Sequence, residues 1–405
     1  MAKVITTELQ HSGASGANIT LDSSKNVTCE NNLTVDGNIS VAGTGLTDTL
    51  SFRNVIINGA MQVSQRGTSE TGISSAGAFR KAPDRFKFSV DDGTWTVSQD
   101  SSGPPGFANS YKVDCTTADT SIAAGNEVKL DTKIEGQDLQ HFCKGTSSAK
   151  KFCLQFWVKS NKTGNYAVQM RDQDNTRHVC HLYTISSADT WEQKKIVFPA
   201  DTTGAFGDDN QNSLTINWYL SVGTNKTSGT MDTSWAAVTD ANIAAGQNVN
   251  LADSTSNYLN ITGIQLEAGD ACTDFEHRSY GEEFLRCARY CWVVENNTTV
   301  ESTAFPSGVV FIRSASTARW MPTFPIQMRA GPSVTGTGVF RVYDGGEVNT
   351  FTIGSSGTCT GENISRWSSI ISFSDGTGND LTLGRAGQLY GNGTSAAQVV
   401  FDAEL

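Results

Sequence analysis

Charge is scarce in this chain. Asp, Glu, Lys and Arg make up 18% of its 405 residues, against about 25% in an average globular protein. The charge that is present leans acidic: 41 carboxylates face 30 basic side chains, for a net charge of −11. Such a surface repels phosphate, which argues against nucleic acid as a partner. No apolar run reaches the ~18 residues of a membrane span, so insertion into a membrane is not expected. Histidine is rare. His11, His141, His178, His181 and His277 are the five, and none lies in a nucleophile elbow, a zinc motif or a triad-like context. The opening residues Met1-Ala-Lys-Val-Ile-Thr-Thr7 lack the apolar core of a secretory signal. The nine cysteines are odd in number and follow no disulfide framework, so the expectation is reduced thiols in a protein folded in a cytosol.

What the chain does have is glycine, at 39 residues, with abundant Ser, Thr and Asn. Uncharged polar faces and many turns point to an all-β protein. The first 41 residues carry a beat: Asn18-Ile-Thr-Leu, Asn26-Val-Thr-Cys, Asn32-Leu-Thr-Val and Asn38-Ile-Ser-Val. Apolar and polar residues alternate within each unit, the period of a half-buried strand. Asp22-Ser-Ser-Lys-Asn26 and Asp36-Gly-Asn38 supply turns between units. Strands of about four residues bury no core alone and must stack on each other or on other copies. Residues 1–50 therefore read as a repeat or attachment segment.

Residues 51–85 read as a connecting segment with a turn at Asn58-Gly59. Residues 86–275 carry strands at the spacing of a β-sandwich. They include Phe86-Lys-Phe-Ser-Val90, Trp95-Thr-Val97, Phe152-Cys-Leu-Gln-Phe-Trp-Val158, Leu214-Thr-Ile-Asn-Trp-Tyr-Leu220 and a final pair in 258–266. One linking helix is expected in 276–292. Ser279 would cap it with Glu282 three residues on, and Phe284, Cys287, Ala288 and Cys291 would form one apolar stripe. Residues 293–405 return to β as a C-terminal domain, with Met321-Pro-Thr-Phe-Pro325 as a proline-punctuated edge.

Three stretches resemble a known family. They are Arg53-Asn-Val-Ile-Ile-Asn-Gly-Ala-Met-Gln62; Leu154-Gln-Phe-Trp-Val-Lys-Ser160; and Ile261-Thr-Gly-Ile-Gln-Leu-Glu-Ala-Gly-Asp270, continuing through Phe275-Glu-His-Arg-Ser-Tyr-Gly-Glu-Glu283 to Arg289-Tyr290. They look like the fibre and virion structural proteins of tailed bacteriophages, especially those of marine hosts. The resemblance implies a trimer attached to the particle through its N-terminus. It implies a central jelly-roll sandwich resembling carbohydrate-binding modules, and a distal β-domain facing the host. The location would be the virion, after synthesis in the host bacterial cytoplasm. The expected partners are two further copies, other tail or capsid proteins, and a host surface glycan or outer-membrane receptor. The alternatives are a capsid-attached decoration fibre and a glycan-degrading tail spike. The short repeat and the helix stripe, which needs something to cover it, also point to the trimer.

Catalysis finds little support among the residues. The acid pairs Asp172 with Asp174, Asp208 with Asp209, and Glu282 with Glu283 are explained by turns and a helix start. In a strand His178 and Cys180 share one face and His181 the other, which disfavours a metal. No cofactor is expected; a structural calcium would take hard oxygen ligands, for which Asp208, Asp209 and Asn210 are the candidates. Sugar binding needs exposed rings beside short polar groups. Trp95 and Trp235 read as lying in loops, and Trp320 and Trp367 as tip contacts or trimer packing. Trp157 and Trp218 read as core.

Overall fold

The computed structural model describes residues 8–9, 19–21, 27–29, 52–74, 77–79, 81–295, 304–345, 348–352, 357–375, 381–391 and 397–405. The chain divides into two units, Met1–Ser51 and Phe52–Leu405. In the first, β1 (Glu8–Leu9), β2 (Ile19–Leu21) and β3 (Val27–Cys29) form a three-stranded antiparallel sheet. Ile19 faces Cys29 and Leu21 faces Val27, so the first two repeat units pair with one another. The units at Asn32 and Asn38 lie outside the described residues.

The second unit opens with a sandwich of jelly-roll type. Its strands are β4 (Ser69–Ile73), β5 (Ala78–Phe79), β6 (Phe86–Val90), β7 (Thr94–Asp100), β8 (Ser110–Thr117), β9 (Glu127–Glu135) and β10 (Phe152–Ser160). β11 (Gly164–Asp172), β12 (Arg177–Ile185), β13 (Glu192–Phe198), β14 (Asn212–Val222), β15 (Ala236–Ala237) and β16 (Tyr258–Ala268) complete it. A six-stranded sheet runs β13-β10-β16-β8-β7-β4, and a seven-stranded sheet runs β15-β12-β11-β14-β9-β6-β5. All strand pairs are antiparallel. Period-two alternation assigns one half of each strand to the core. Phe86, Phe88, Leu130, Phe156, Ile216 and Trp218 point inward and are buried. Phe88 meets Trp95 edge-on at 5.8 Å, and Phe156 meets Trp218 at 5.9 Å, tying sheet to sheet.

Residues 52–85, expected as a connection, are built into this sandwich. Ile56 and Met61 are buried in its core, and β4 and β5 are its edge strands. The segment also takes the edge of β16 that β8 leaves: Val55 donates its N–H to Leu266, and Ile264 donates to Gly59. Asn58 adopts a left-handed φ of 61°. A Cβ on Gly59 would stand 2.1 Å from the Ile264 carbonyl oxygen, so only glycine fits this approach. The expected strand pair in 258–266 is one continuous strand.

Ser279 caps the helix α1 (Tyr280–Ala288), accepting from the Glu282 N–H at 3.3 Å. The helix is shorter than expected. Cys291 already belongs to β17 (Cys291–Glu295), whose ladder to β26 (Gln398–Asp402) overrides helical continuation. Cys287, Ala288 and Cys291 are fully buried within this one chain and Phe284 is half-buried, so most of the stripe is covered without a second copy.

The C-terminal part holds β18 (Ala304–Ser314), β19 (Thr317–Trp320), β20 (Ser333–Thr337), β21 (Val339–Tyr343), β22 (Val348–Thr352), β23 (Gly357–Glu362), β24 (Ile370–Asp375) and β25 (Ala386–Gly391). They form a seven-stranded sheet, β22-β21-β25-β18-β19-β24-β23, and a small sheet β17-β26-β20. Met321–Pro325 contributes an isolated bridge, Thr323 to Ser368. Arginines fasten this part to the sandwich: Arg85 pairs with Glu404, Arg66 with Asp402 at 3.0 Å, and Arg289 with Glu135 at 2.7 Å.

One expectation about cysteine changes. Cys153 on β10 and Cys272 just beyond β16 form a disulfide across 119 residues of sequence, with Cα atoms 5.3 Å apart. The sequence reading expected reduced thiols; the fold brings together two residues that no spacing pattern links. Cys115, Cys143, Cys180, Cys287, Cys291 and Cys359 are free.

Candidate functional site

The expected sugar-stacking tryptophans sit in the core, apart from one. Trp95 is the first inward residue of β7 after the Asp91-Asp-Gly93 turn; it is fully buried and its indole N–H donates to the Asp92 carbonyl at 2.8 Å. Trp235 is 9% exposed, donates to the Pro199 carbonyl, and roofs the buried Lys144 ammonium 5.2 Å from its ring. Trp320 alternates with Arg319 on β19 and points into the C-terminal core. A ring with no free face stacks on nothing, so these three are corrected to structural residues. Trp367 remains, 57% exposed. Trp157, expected in the core, is instead half-buried on the outer face of the six-stranded sheet.

The acidic candidates have structural partners. Asp172 is buried against Lys144 at 2.6 Å, and Lys144 also reaches Asp201 at 3.1 Å. Asp174 accepts from the Gly207 N–H. Glu283 accepts from the Asn58 N–H, and Glu282 pairs with Arg286 one helical turn on. Of the calcium candidates, Asp208 is exposed and Asp209 accepts from the Gln211 N–H. The Asn210 side-chain oxygen accepts from Gln211 while its amide donates to the Arg329 carbonyl at 2.7 Å. Asn210 therefore spends its side chain on a joint with the C-terminal part. Among the described residues no group of three His, Cys, Asp or Glu side chains is arranged to hold a metal.

A groove lies elsewhere. It measures about 530 Å³ and runs over the outward face of the sandwich's seven-stranded sheet. Its floor is the polar half of each strand's alternation: Lys87 and Ser89 from β6, Asp131 and Lys133 from β9, Asn217 from β14 and Arg171 from β11. Register sets them in rows. Lys87 faces Asp131, Asp131 faces Asn217, and Asn217 faces Gln169. Three strand spacings separate the ends of that row, about 14 Å.

A hydrogen-bonded chain holds one end of the floor rigid. Gln169 Oε1 accepts from Asn217 Nδ2 at 3.0 Å and from the Tyr219 hydroxyl at 2.9 Å. Its amide nitrogen must then face His178 Nδ1 at 2.9 Å as donor. That places the His178 proton on Nε2, 2.9 Å from Asp232. His178 and Cys180 thus share the groove-side face, as strand alternation predicts, but His178 serves this chain. Tyr219 is the groove's aromatic residue, and it is 2% exposed; no ring platform is offered.

Asp131 stands apart. It is 3% exposed, and its Oδ1 has no hydrogen-bond partner. Burial pushes its carboxyl up to about 6, against the pull of Lys129, Lys87 and Lys133. Glu127, by contrast, is held below the ordinary carboxylate range by Lys129 and Lys226 despite its burial. Nothing in the sequence marks the groove as a motif, because residues 87, 131, 169 and 217 meet only through sheet order. The signal available was the polar half of each strand.

No family model matches the chain, and no curated protein matches it. Solved structures do. A putative sugar binding protein from Bacteroides thetaiotaomicron is 12% identical over 53% of this chain and 100% of its own, with a TM-score of 0.30. The enzymatically active domain of tailspike protein 4 from bacteriophage CBA120 is 14% identical over 53% of this chain, with a TM-score of 0.28. The match spans about a fifth of that tailspike, 21%. A family 11 carbohydrate-binding module from Clostridium thermocellum is 12% identical over 55% of this chain and 97% of its own, with a TM-score of 0.25. Likeness at this level carries no argument about activity.

Proposed function

We propose that this protein binds a saccharide in the groove of the sandwich's seven-stranded sheet, as the adhesive fibre protein of a bacteriophage virion. The observation that carries the binding reading is the groove floor. Side-chain amides, hydroxyls and charges from four strands point into one opening of about 530 Å³, and the fold pre-orders them. Sugar hydroxyls are recognised by fixed donors and acceptors of this kind, and pre-ordering lowers the entropic cost of binding. The virion role rests on the fibre-like sequence stretches and on the N-terminal repeat, with the repeats as the attachment point and a host surface glycan as the target.

Binding rather than hydrolysis fits the carboxylates. Glycoside cleavage employs a pair of acids. In the groove Glu127 is engaged by Lys129 and by Lys226 at 3.0 Å, and Asp91 accepts from the Glu127 N–H. Purified protein should retard on gels containing its glycan and release no reducing ends. Asn217→Ala should abolish the retardation while leaving the fold intact, as judged by circular dichroism. Retardation unchanged in that variant would refute the groove as the site; new reducing ends would refute the non-catalytic reading. A solution mass three times the 43.3 kDa chain mass would support the trimer, and a monomer would remove it. Antibody labelling of particles distinguishes tail fibre from capsid decoration.

A further inference from the structure

We infer that the saccharide held in this groove is acidic, carrying carboxylate, sulfate or phosphate groups along its chain. The inference rests on the saccharide-binding reading and deepens it. Three observations support it.

First, the groove reverses the charge balance of the protein. The whole chain carries 41 acidic and 30 basic side chains. The groove lining carries five basic ones, Lys87, Lys129, Lys133, Arg171 and Lys226. Against them stand four carboxylates, Asp91, Glu127, Asp131 and Asp240. Five against four leaves a net +1 on a protein of −11. Basic side chains are thus concentrated where the opening is, and the field there is focused by the low-dielectric walls.

Second, two of the cations make no salt bridge among the described residues. Lys129 and Lys226 pair with Glu127, and Lys133 donates to the Leu405 carbonyl. Lys87 and Arg171 form no ion pair with a described residue, and Arg171 Nε is buried without a hydrogen-bond partner. They stand on β6 and β11, at opposite sides of the floor, with Asp131 and Lys133 of β9 and the neutral Asn217 and Thr215 of β14 between. An extended glycan crossing the strands would meet the Lys87 cation, then the Asp131 carboxyl, then amide and hydroxyl groups, then the Arg171 cation. A guanidinium with an open donor edge suits a planar carboxylate or a sulfate.

Third, the groove lacks the ring platform by which neutral sugars are held through their apolar faces. Its aromatic residue, Tyr219, is buried with its hydroxyl bound to Gln169. Charge-assisted hydrogen bonds take the place of stacking.

The test is a microarray of bacterial surface polysaccharides, neutral and acidic, probed with the full chain. Each acidic hit is then compared with the same polymer after its carboxyl groups have been reduced to alcohols, or its sulfate or phosphate removed. Lys87→Ala, Arg171→Ala and, on the opposite sheet, the exposed Lys195→Ala are measured beside the wild type. The expected result is binding to acidic polymers that is lost on neutralisation. Lys87→Ala and Arg171→Ala should each weaken it by about tenfold or more, with Lys195→Ala unchanged. Binding of neutral polymers, or binding indifferent to neutralisation, would overturn the acidic class and leave the saccharide reading standing. Equal loss in all three variants would show a general attraction to polyanions and would also overturn it. Binding to no polymer would overturn both readings.

Discussion

The two outer faces of one sandwich are covered differently. On the six-stranded sheet the residues that follow β16 fold back over part of the outward face, while Gln155 Nε2, Asn260 Oδ1 and Thr262 Oγ1 stay without hydrogen-bond partners. Gln265 accepts from the Glu276 N–H, Glu267 from Thr273, and Arg53 donates to Thr273 at 2.6 Å. The same face carries Trp157, Tyr258 and, at its margin, Trp191, with the Lys159 ammonium 5.1 Å from the Trp191 ring and 6.0 Å from that of Tyr258. On the seven-stranded sheet the outward residues are equally polar and often as buried, yet Asp131 and Arg171 keep open hydrogen-bonding positions towards a groove. Alternation alone makes both faces polar. What differs is that a later segment of chain returns over part of one face, whereas the other lies under a groove. A buried polar group left unsatisfied costs about 1–3 kcal/mol, and that cost persists where a ligand recovers it.

The comparison is sharpened most by mutations on adjacent residues of β14. Trp218 points to the core and Asn217 to the groove. Trp218→Ala should cost about 3–5 kcal/mol of stability, read by denaturant unfolding, whereas Asn217→Ala should cost far less and act on binding. Next in size is the disulfide on the six-stranded side. Reducing Cys153–Cys272 should lower stability by about 2–4 kcal/mol, because it frees a loop of more than a hundred residues in the unfolded chain. Thermal melts with and without reductant would show it, with groove binding retained below the transition.

Gln169→Ala should follow. It leaves His178, Asn217 and Tyr219 without their shared partner, at a cost of about 1–3 kcal/mol. Glycan binding should fall with it, since Asn217 loses its fixed orientation. The pH response comes next. The folded Asp131 carboxyl, at about 6, lies above its ordinary value of 3.8. Its contribution to stability is therefore full below pH 4 and lost as pH rises through 6. Wild type should gain about 1 kcal/mol from pH 7 to pH 5 relative to Asp131→Asn, measured by urea unfolding at both pH values. The smallest effect is at Trp367, the exposed one of the four candidate tryptophans. Trp367→Ala should change stability by less than about 0.5 kcal/mol and leave groove binding unaltered.

Much of the fold was legible in the sequence. Strand runs such as Phe152–Val158 and Leu214–Leu220 announce themselves by alternation, and Ser279 with Glu282 marks the helix start. Asn58-Gly59 is a turn because only that pair gives the left-handed φ and the close approach to Ile264. Legibility failed where a long-range partner decides. Trp95 follows a turn and reads as loop, yet the β7–β8 ladder carries it inward. The helix stops at Ala288 because β26, more than a hundred residues later, claims Cys291. The stretches at Arg53–Gln62 and Ile261–Asp270, noted as resembling fibre proteins, meet in space: Asn54 receives the Leu266 N–H and donates to the Ile264 carbonyl. The groove was illegible for the same reason, since it assembles from four strands that only the sheet order makes neighbours.

The most direct test of the central claim is a crystal structure of the protein with an oligosaccharide bound. The account predicts sugar density across β6, β9, β14 and β11, in contact with Lys87, Asn217 and Arg171, and the rings of the opposite face bare. Density stacked on Trp157 or Trp191, with the groove empty, would contradict it.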